Sequence, residues 1–174
     1  MGNRVVREVL QTVLERADMQ GQAVFLAYDV RWWPNGTVDR LVDAGILREL
    51  GPSPTVRCFD CDEHCDVVPD WMTSPITGEV RGFYGCSHEE FGGRLSCSPA
   101  DARQWELHAE SFARLLATEL GLAGKVTVDF PGHIYRLGVH PSRRGPLDLF
   151  LACGPGCADG ATGASAAAVA VPGA

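Results

Sequence analysis

The segment Cys58-Phe59-Asp60-Cys61-Asp62-Glu63-His64-Cys65 places three thiols within eight residues, and a fourth, Cys86, follows the run Gly82-Phe83-Tyr84-Gly85. A C-x2-C pair forms a tight knuckle whose two thiolates converge on one tetrahedral cation, most often zinc. The third thiol, four residues on, and the fourth, from a separate segment, complete a closed shell of four sulfurs. Cys58, Cys61, Cys65 and Cys86 are therefore the predicted ligands of a structural Zn2+.

Cys97, His64 and His88 are the other groups able to close such a shell. His64 adjoins Cys65, so both ligate only through a cramped turn. His88 lies in Ser87-His88-Glu89-Glu90, an acidic stretch that reads as an exposed loop. Cys97 shares a strand face with Leu95, as a small buried thiol does. The glycines before Cys86 let backbone approach a cation closely. A disulfide framework is the competing reading, but seven cysteines is an odd number and Met1-Gly2-Asn3-Arg4-Val5-Val6 shows no apolar export signal. Free thiols are the other alternative, and thiolates released from zinc are oxidisable.

One further triplet has catalytic spacing. His108-Ala109-Glu110 matches the H-x-E element of zinc deaminases, which also requires a downstream P-C-x-x-C. The chain has Cys153-Gly154-Pro155-Gly156-Cys157 instead, with one residue too many and no preceding proline. Ala109 belongs to the apolar stripe of an amphipathic helix, which accounts for the triplet. No phosphate-binding loop, dinucleotide fingerprint, nucleophile elbow or H-E-x-x-H is present. The expectation is a non-enzymatic protein without catalytic residues; a deaminase-like zinc enzyme is the remote alternative.

These groups must be carried by a mixed framework. Apolar residues from Val5 to Ala17 recur with helical period. Residues 22–28 read as a strand, Trp32-Trp33-Pro34-Asn35-Gly36 as a turn, and Thr37–Ala44 as a short helix ended by Gly45. Ile46–Leu50 and Thr55–Arg57, flanking Gly51-Pro52-Ser53-Pro54, are expected to pair as a hairpin. Residues 78–85 read as a strand with 93–97 as partner. Ser98 caps a long helix carrying Pro99 at its first position and burying Trp105, Ala109, Phe112, Ala113, Leu116 and Leu120. Strands at 125–130, 133–137 and 147–152 follow. From Gly154 onward the Gly/Ala-rich tail is expected to be disordered.

The order helix, strand, short helix, hairpin over residues 4–57, with the junction Leu41-Val42-Asp43-Ala44-Gly45-Ile46-Leu47, resembles a winged helix, and the cysteine segment resembles a zinc ribbon. The resemblance implies an α+β protein with a winged-helix-like part (1–57), a zinc-ribbon-like part (58–98), a helix with a short β-meander (99–153) and the tail (154–174). Zinc ribbons serve both nucleic-acid-binding and protein-binding proteins, so the likeness does not choose a function.

Charge does more to choose. The 174 residues carry a formal net charge of −7. Residues 1–57 balance seven arginines with seven acids, whereas 58–98 hold two arginines against eight acids. Phosphate-driven binding needs a basic face, and the middle segment repels a phosphate backbone. The short helix offers Asp39 and Asp43 beside Arg40, unlike a DNA-reading helix. A protein partner is favoured, within a bacterial assembly. Duplex DNA is the alternative partner, with Arg31, Trp33, Arg40, Arg48 and Arg57 as candidate contacts. One of Trp32 and Trp33 is expected in the core and the other exposed. No uninterrupted apolar run reaches the roughly 18 residues of a membrane span, no small-molecule substrate is indicated, and the expected location is cytoplasmic.

Overall fold

The computed structural model describes residues 13–14, 23–88, 93–143 and 145–153. Among these the chain is mixed α/β with small open sheets. In order they form β1 (Val24–Leu26), α1 (Ala27–Val30), α2 (Thr37–Asp43), β2 (Leu47–Glu49), β3 (Val56–Arg57), β4 (Asp66–Val67), β5 (Asp70–Thr73), β6 (Val80–Tyr84) and β7 (Leu95–Cys97). A 3-10 turn (Pro99–Ala102), β8 (Gln104–Leu107), α3 (Ala109–Glu119), β9 (Thr127–Phe130), β10 (Ile134–Ser142) and β11 (Gly145–Ala152) follow. Of the expected N-terminal helix only Val13 and Leu14 are described, both helical, with Val13 fully buried. The rest of that helix and the tail lie outside the described residues.

The described residues of Met1–Ala23, Pro34–Arg48 and Leu107–Ala174 form one compact unit, and those of Val24–Trp33 and Glu49–Glu106 a second. In the first unit α2 forms as its sequence predicts. Gly36 precedes it at φ 72° and Gly45 ends it at φ 67°, donating its N–H to the Val42 carbonyl at 2.8 Å. The C-terminal meander has strand order β11-β10-β9, and α3 packs on β10. Phe112 and Ala113 of α3 are fully buried, and Ile134, Tyr135 and Leu137 on the sheet are buried with them. The ladder runs on through Pro141↔Pro146 to Ser142↔Gly145, beyond the strand ends expected at Leu137 and Leu147. Gly138, at φ 137°, has no room for a side chain: a Cβ there would stand 2.6 Å from the Ala123 carbonyl oxygen.

In the second unit β1 pairs with β8 antiparallel, placing Phe25 opposite Trp105, both buried. β6 lies between β5 and β7, so the pairing expected between residues 78–85 and 93–97 is formed, with Gly82 opposite Cys97. β4 and β5 were not foreseen from the sequence pattern.

Three expectations require correction. The strand expected over residues 22–28 is formed only from Val24 to Leu26, because the Asp29 carboxylate accepts the Leu26 N–H at 2.9 Å and caps a helical turn, α1; Gln22 lies outside the described residues. The hairpin between 46–50 and 55–57 does not form. Residues 50–53 run beside 102–104 instead, through Leu50 N–H to the Gln104 carbonyl (3.0 Å) and Ser53 N–H to the Ala102 carbonyl (2.7 Å). β3 then pairs with β4, Arg57 facing Asp66. The long helix from Ser98 is also interrupted. Its start is as expected, with Asp101 accepting from the Ser98 N–H (2.7 Å) and hydroxyl (2.8 Å). Arg103 is extended, however, and Gln104–Leu107 alternates half-buried and buried residues as β8. Helix resumes at Ala109, where the His108 ring caps it by accepting the Ser111 N–H at 3.3 Å.

Candidate metal centre

The knuckle is closed at its base by the β3–β4 ladder, whose register Val56↔Val67 and Arg57↔Asp66 leads directly to Cys58 and Cys65. The Cys58 N–H donates to the Cys65 carbonyl at 2.9 Å, and the His64 N–H to the Cys61 carbonyl at 3.2 Å. The tight turn puts His64 at φ 46°, a left-handed conformation uncommon for a side-chain-bearing residue. Cys86 arrives from the end of β6, two residues beyond Tyr84 and on the same face.

Cys58, Cys61, Cys65 and Cys86 thereby bring their Sγ atoms within 4.8 Å of one another. Cys65 lies 3.1 Å from Cys86 and 3.4 Å from Cys61. Four thiolates about 2.3 Å from one tetrahedral zinc would stand about 3.8 Å apart, so the donor set fits such an ion. No other group of three or more candidate metal-ligating side chains forms among the described residues. Four cysteines at this spacing can hold a metal ion.

The local field of the cluster suits a cation. Burial pushes the Cys58 thiol up, offset by backbone N–H groups of Asp60 and Cys61 aimed at it. The Cys65 backbone N–H holds the Cys61 thiol down at about 6. Cys65 is pushed up to about 12, chiefly by sharing hydrogen bonds with Cys86 and then Cys61. Thiolates packed this closely repel one another, and a divalent ion among them removes that penalty.

Cys97 is buried but stands apart from the four, packed against Gly82; burial raises its thiol above the ordinary value. Close approach is needed at Gly82 rather than at Gly85, where a side chain would meet nothing within 4 Å. His64 and His88 are exposed and outside the group. The sequence pattern did not single out Tyr84, whose buried hydroxyl interacts with the Cys58 thiol and is raised, mainly by burial. Its position two residues before Cys86 was the available signal.

The residues considered for partner contact divide between the units. In the second unit Trp33 is half-buried, edge-on to Phe25 at 5.4 Å between centroids, while its neighbour Trp32 is exposed at 73%. The Arg31 guanidinium lies 4.3 Å from the Trp32 ring, 4.8 Å from Phe59 and 5.5 Å from Tyr28. Arg57 pairs with Asp29 (3.5 Å) and Asp66 (3.3 Å). In the first unit Arg40 and Arg48 are exposed, Arg40 donating to the Thr37 hydroxyl at 3.2 Å. His108 caps α3 and Glu110 pairs with Arg114; of the two cysteines considered with them, Cys153 is buried and Cys157 lies outside the described residues.

Compared with protein-family models, curated proteins and solved structures, the chain matches none. Its function must be argued from its own residues. No helix among the described residues is long and apolar enough to cross a membrane.

Proposed function

We propose that this chain is a non-enzymatic binding or adaptor protein whose second unit is a zinc-ribbon-like module held by a structural Zn2+ on Cys58, Cys61, Cys65 and Cys86. The convergence of the four thiols carries the reading. Four protein sulfurs close a tetrahedral shell and leave no position for a substrate, as in structural rather than catalytic sites.

Energetics point the same way. Among the described residues, Val56 is the one aliphatic side chain larger than alanine buried in the cluster around the centre, with Val67 and Leu95 partly buried against it; the rest are Cys58, Cys61, Tyr84, Cys86, Cys97 and Ala102. Burying one valine contributes about 1.5–3 kcal/mol. Ordering the knuckle from Cys58 to Cys65 costs about 1–2 kcal/mol per residue. A structural zinc contributes about 10–16 kcal/mol in small zinc-binding peptides, which offsets that cost. The acidic second unit and the exposed Trp32 beside Arg31 favour a protein partner, since Trp and Arg are frequent anchors of protein interfaces. A reducing, cytoplasmic setting keeps four such thiols available to metal.

A second reading, a DNA-binding regulator, draws on Arg40, exposed on α2, but the hairpin that would serve as a wing does not form. The paired state of Arg57 and the overall charge of −7 weigh against it.

Elemental analysis of the reduced, purified chain tests the proposal. About one zinc per chain, with loss of folded structure on chelation, is expected. A metal-free chain with an unchanged far-UV circular dichroism spectrum refutes the centre.

A further inference from the structure

Among the described residues β5 is an edge strand, with β6 on one side of it and no strand on the other. The Ser74 N–H donates to the Glu79 carbonyl at 2.8 Å, across the end of the β5–β6 ladder. Backbone direction alternates along an antiparallel strand, so Met72 and Asp70 also turn their N–H and C=O groups toward β6, opposite Arg81 and Phe83. Trp71 and Thr73 turn theirs outward. Two residues beyond them on either side stand Pro69 and Pro75, which have no N–H to donate. Every residue of β5 is exposed, Met72 at 53%. Of the twelve exposed large apolar side chains among the described residues, five (Val68, Trp71, Met72, Ile76 and Val80) fall within residues 68–80. The strand carries no lysine, no internal proline and no bulge, the usual guards against edge pairing.

We propose that β5 pairs antiparallel with β5 of a second copy of this chain, about a two-fold axis through Met72, joining two three-stranded sheets into one. The outward residues then face each other, Trp71 opposite the partner's Thr73 and Thr73 opposite the partner's Trp71. Each pair exchanges two N–H···O bonds, so every outward backbone group of the strand is satisfied. The neighbouring symmetric registers do worse. Centred on Trp71, Thr73 meets the partner's Pro69; centred on Thr73, Trp71 meets the partner's Pro75. Either leaves a carbonyl without a donor. Centred on Met72, Pro69 meets the partner's Pro75, and the ladder ends without burying an unpaired N–H. This match of the strand to its own reverse singles out a second copy over a strand of another protein.

Charge and side chains agree with that register. Asp70 pairs with Arg94 at 3.4 Å and Glu79 with Arg81 at 3.0 Å, both within one copy. Asp70 stands opposite the partner's Ser74, so no like charges face each other across the axis. The two Met72 side chains meet on one face of the joined sheet and cover apolar surface that a single copy leaves open. None of this depends on what the four thiols hold.

The experiment takes the full chain, its metal content measured first, through sedimentation equilibrium from low micromolar to near-millimolar concentration. The mass is expected to rise from 18.7 kDa toward twice that value. Two variants locate the contact. Thr73→Pro removes an outward N–H and keeps the bonds to β6, whereas Met72→Lys sets like charges together on the axis. Each is expected to weaken the dimer at least about tenfold, with far-UV circular dichroism and metal content unchanged. The Trp71 and Thr73 amides are expected to exchange hydrogen slowly in the dimer and fast in Met72→Lys. A mass of 18.7 kDa at every concentration overturns the proposal; slow exchange of those amides in such a monomer would assign the edge to another segment of this chain. A dimer that neither variant weakens also overturns it. Should Thr73→Pro fail to fold, the parent's mass and Met72→Lys, altered at an exposed side chain, still decide. A metal-free chain that dimerises through β5 supports the pairing while refuting the zinc centre.

Discussion

The Cys97 sulfur lies 2.7 Å from the point where a Cβ at Gly82 would stand, directly across the β6–β7 ladder. Pro69 and Trp71 crowd the same point at 2.9 and 3.0 Å. Glycine at position 82 is therefore a packing requirement, and it seats Cys97 beside the metal-centre strand without making it a ligand. Gly82→Ala is expected to destabilise the chain by about 1–3 kcal/mol, the usual cost of overpacking. Combining it with Cys97→Ala should recover part of that loss. Urea midpoints of the two single variants and the double variant measure the coupling, and strict additivity contradicts the contact.

The four clustered thiols and Cys97 should separate in a metal assay. Cys58→Ser and Cys86→Ser are each expected to abolish stable zinc binding, whereas Cys97→Ser retains about one zinc per chain. Elemental analysis after gel filtration reads the difference. Loss of metal in Cys97→Ser with retention in Cys86→Ser would mean that Cys97 closes the shell.

Arg103 grips Glu49 with both arms of its guanidinium, Nε to Oε1 at 2.6 Å and an Nη to Oε2 at 2.9 Å. This hydrogen bonding holds the Glu49 carboxyl below its ordinary value. A depressed carboxyl contributes stability above the unfolded value, about 4.3, and loses it as pH falls through the lower folded value. Both side chains are more than a third exposed, so solvent limits the gain to under about 1 kcal/mol. Glu49→Gln should be slightly less stable than the parent at pH 7, and that gap should be smaller at pH 3. Melting temperatures at the two values test this, and a gap undiminished at acid pH contradicts it.

Trp105 packs in β8 with its indole Nε1 buried and without a hydrogen-bond partner among the described residues. Leaving a buried donor unpaired carries a cost of about 1–3 kcal/mol, which phenylalanine at this position would not incur. Trp105→Phe is expected to cost less than about 1.5 kcal/mol, against about 3–5 kcal/mol for Trp105→Ala. Equal losses in denaturant titrations would show that the ring edge rather than the apolar body holds the strand.

With a net charge of −7, random duplex DNA should bind only weakly at physiological salt. Fluorescence anisotropy across a salt series checks this. Sub-micromolar affinity with a steep salt dependence would promote the DNA-binding reading.

Three of the four clustered thiols, Cys58, Cys61 and Cys65, were legible as a group because a C-x2-C knuckle with a third cysteine four residues on is a local pattern, and local chain geometry alone aims those sulfurs together. The helix at Thr37–Asp43, the one-turn start at Ser98 and the meander were legible for the same reason: Gly45, the Ser98–Asp101 cap and Pro131-Gly132 act within a few residues of themselves. What only the tertiary structure decided depends on partners distant in sequence. Val56–Arg57 pairs with Asp66–Val67 instead of turning back on Leu47–Glu49, because residues 50–53 bond to 102–104, some fifty positions away. Gln104–Leu107 leaves the helical pattern because Phe25 and its neighbours offer β8 a ladder, and a period of two or of 3.6 cannot be told apart over four residues. The glycines beside Cys86 mark it in the sequence, yet what places it is the register of β6 between β5 and β7, with Gly82 shaped to Cys97. Local capping and turn chemistry are written in adjacent residues, whereas strand pairing is a choice among distant partners that only the packed chain can make.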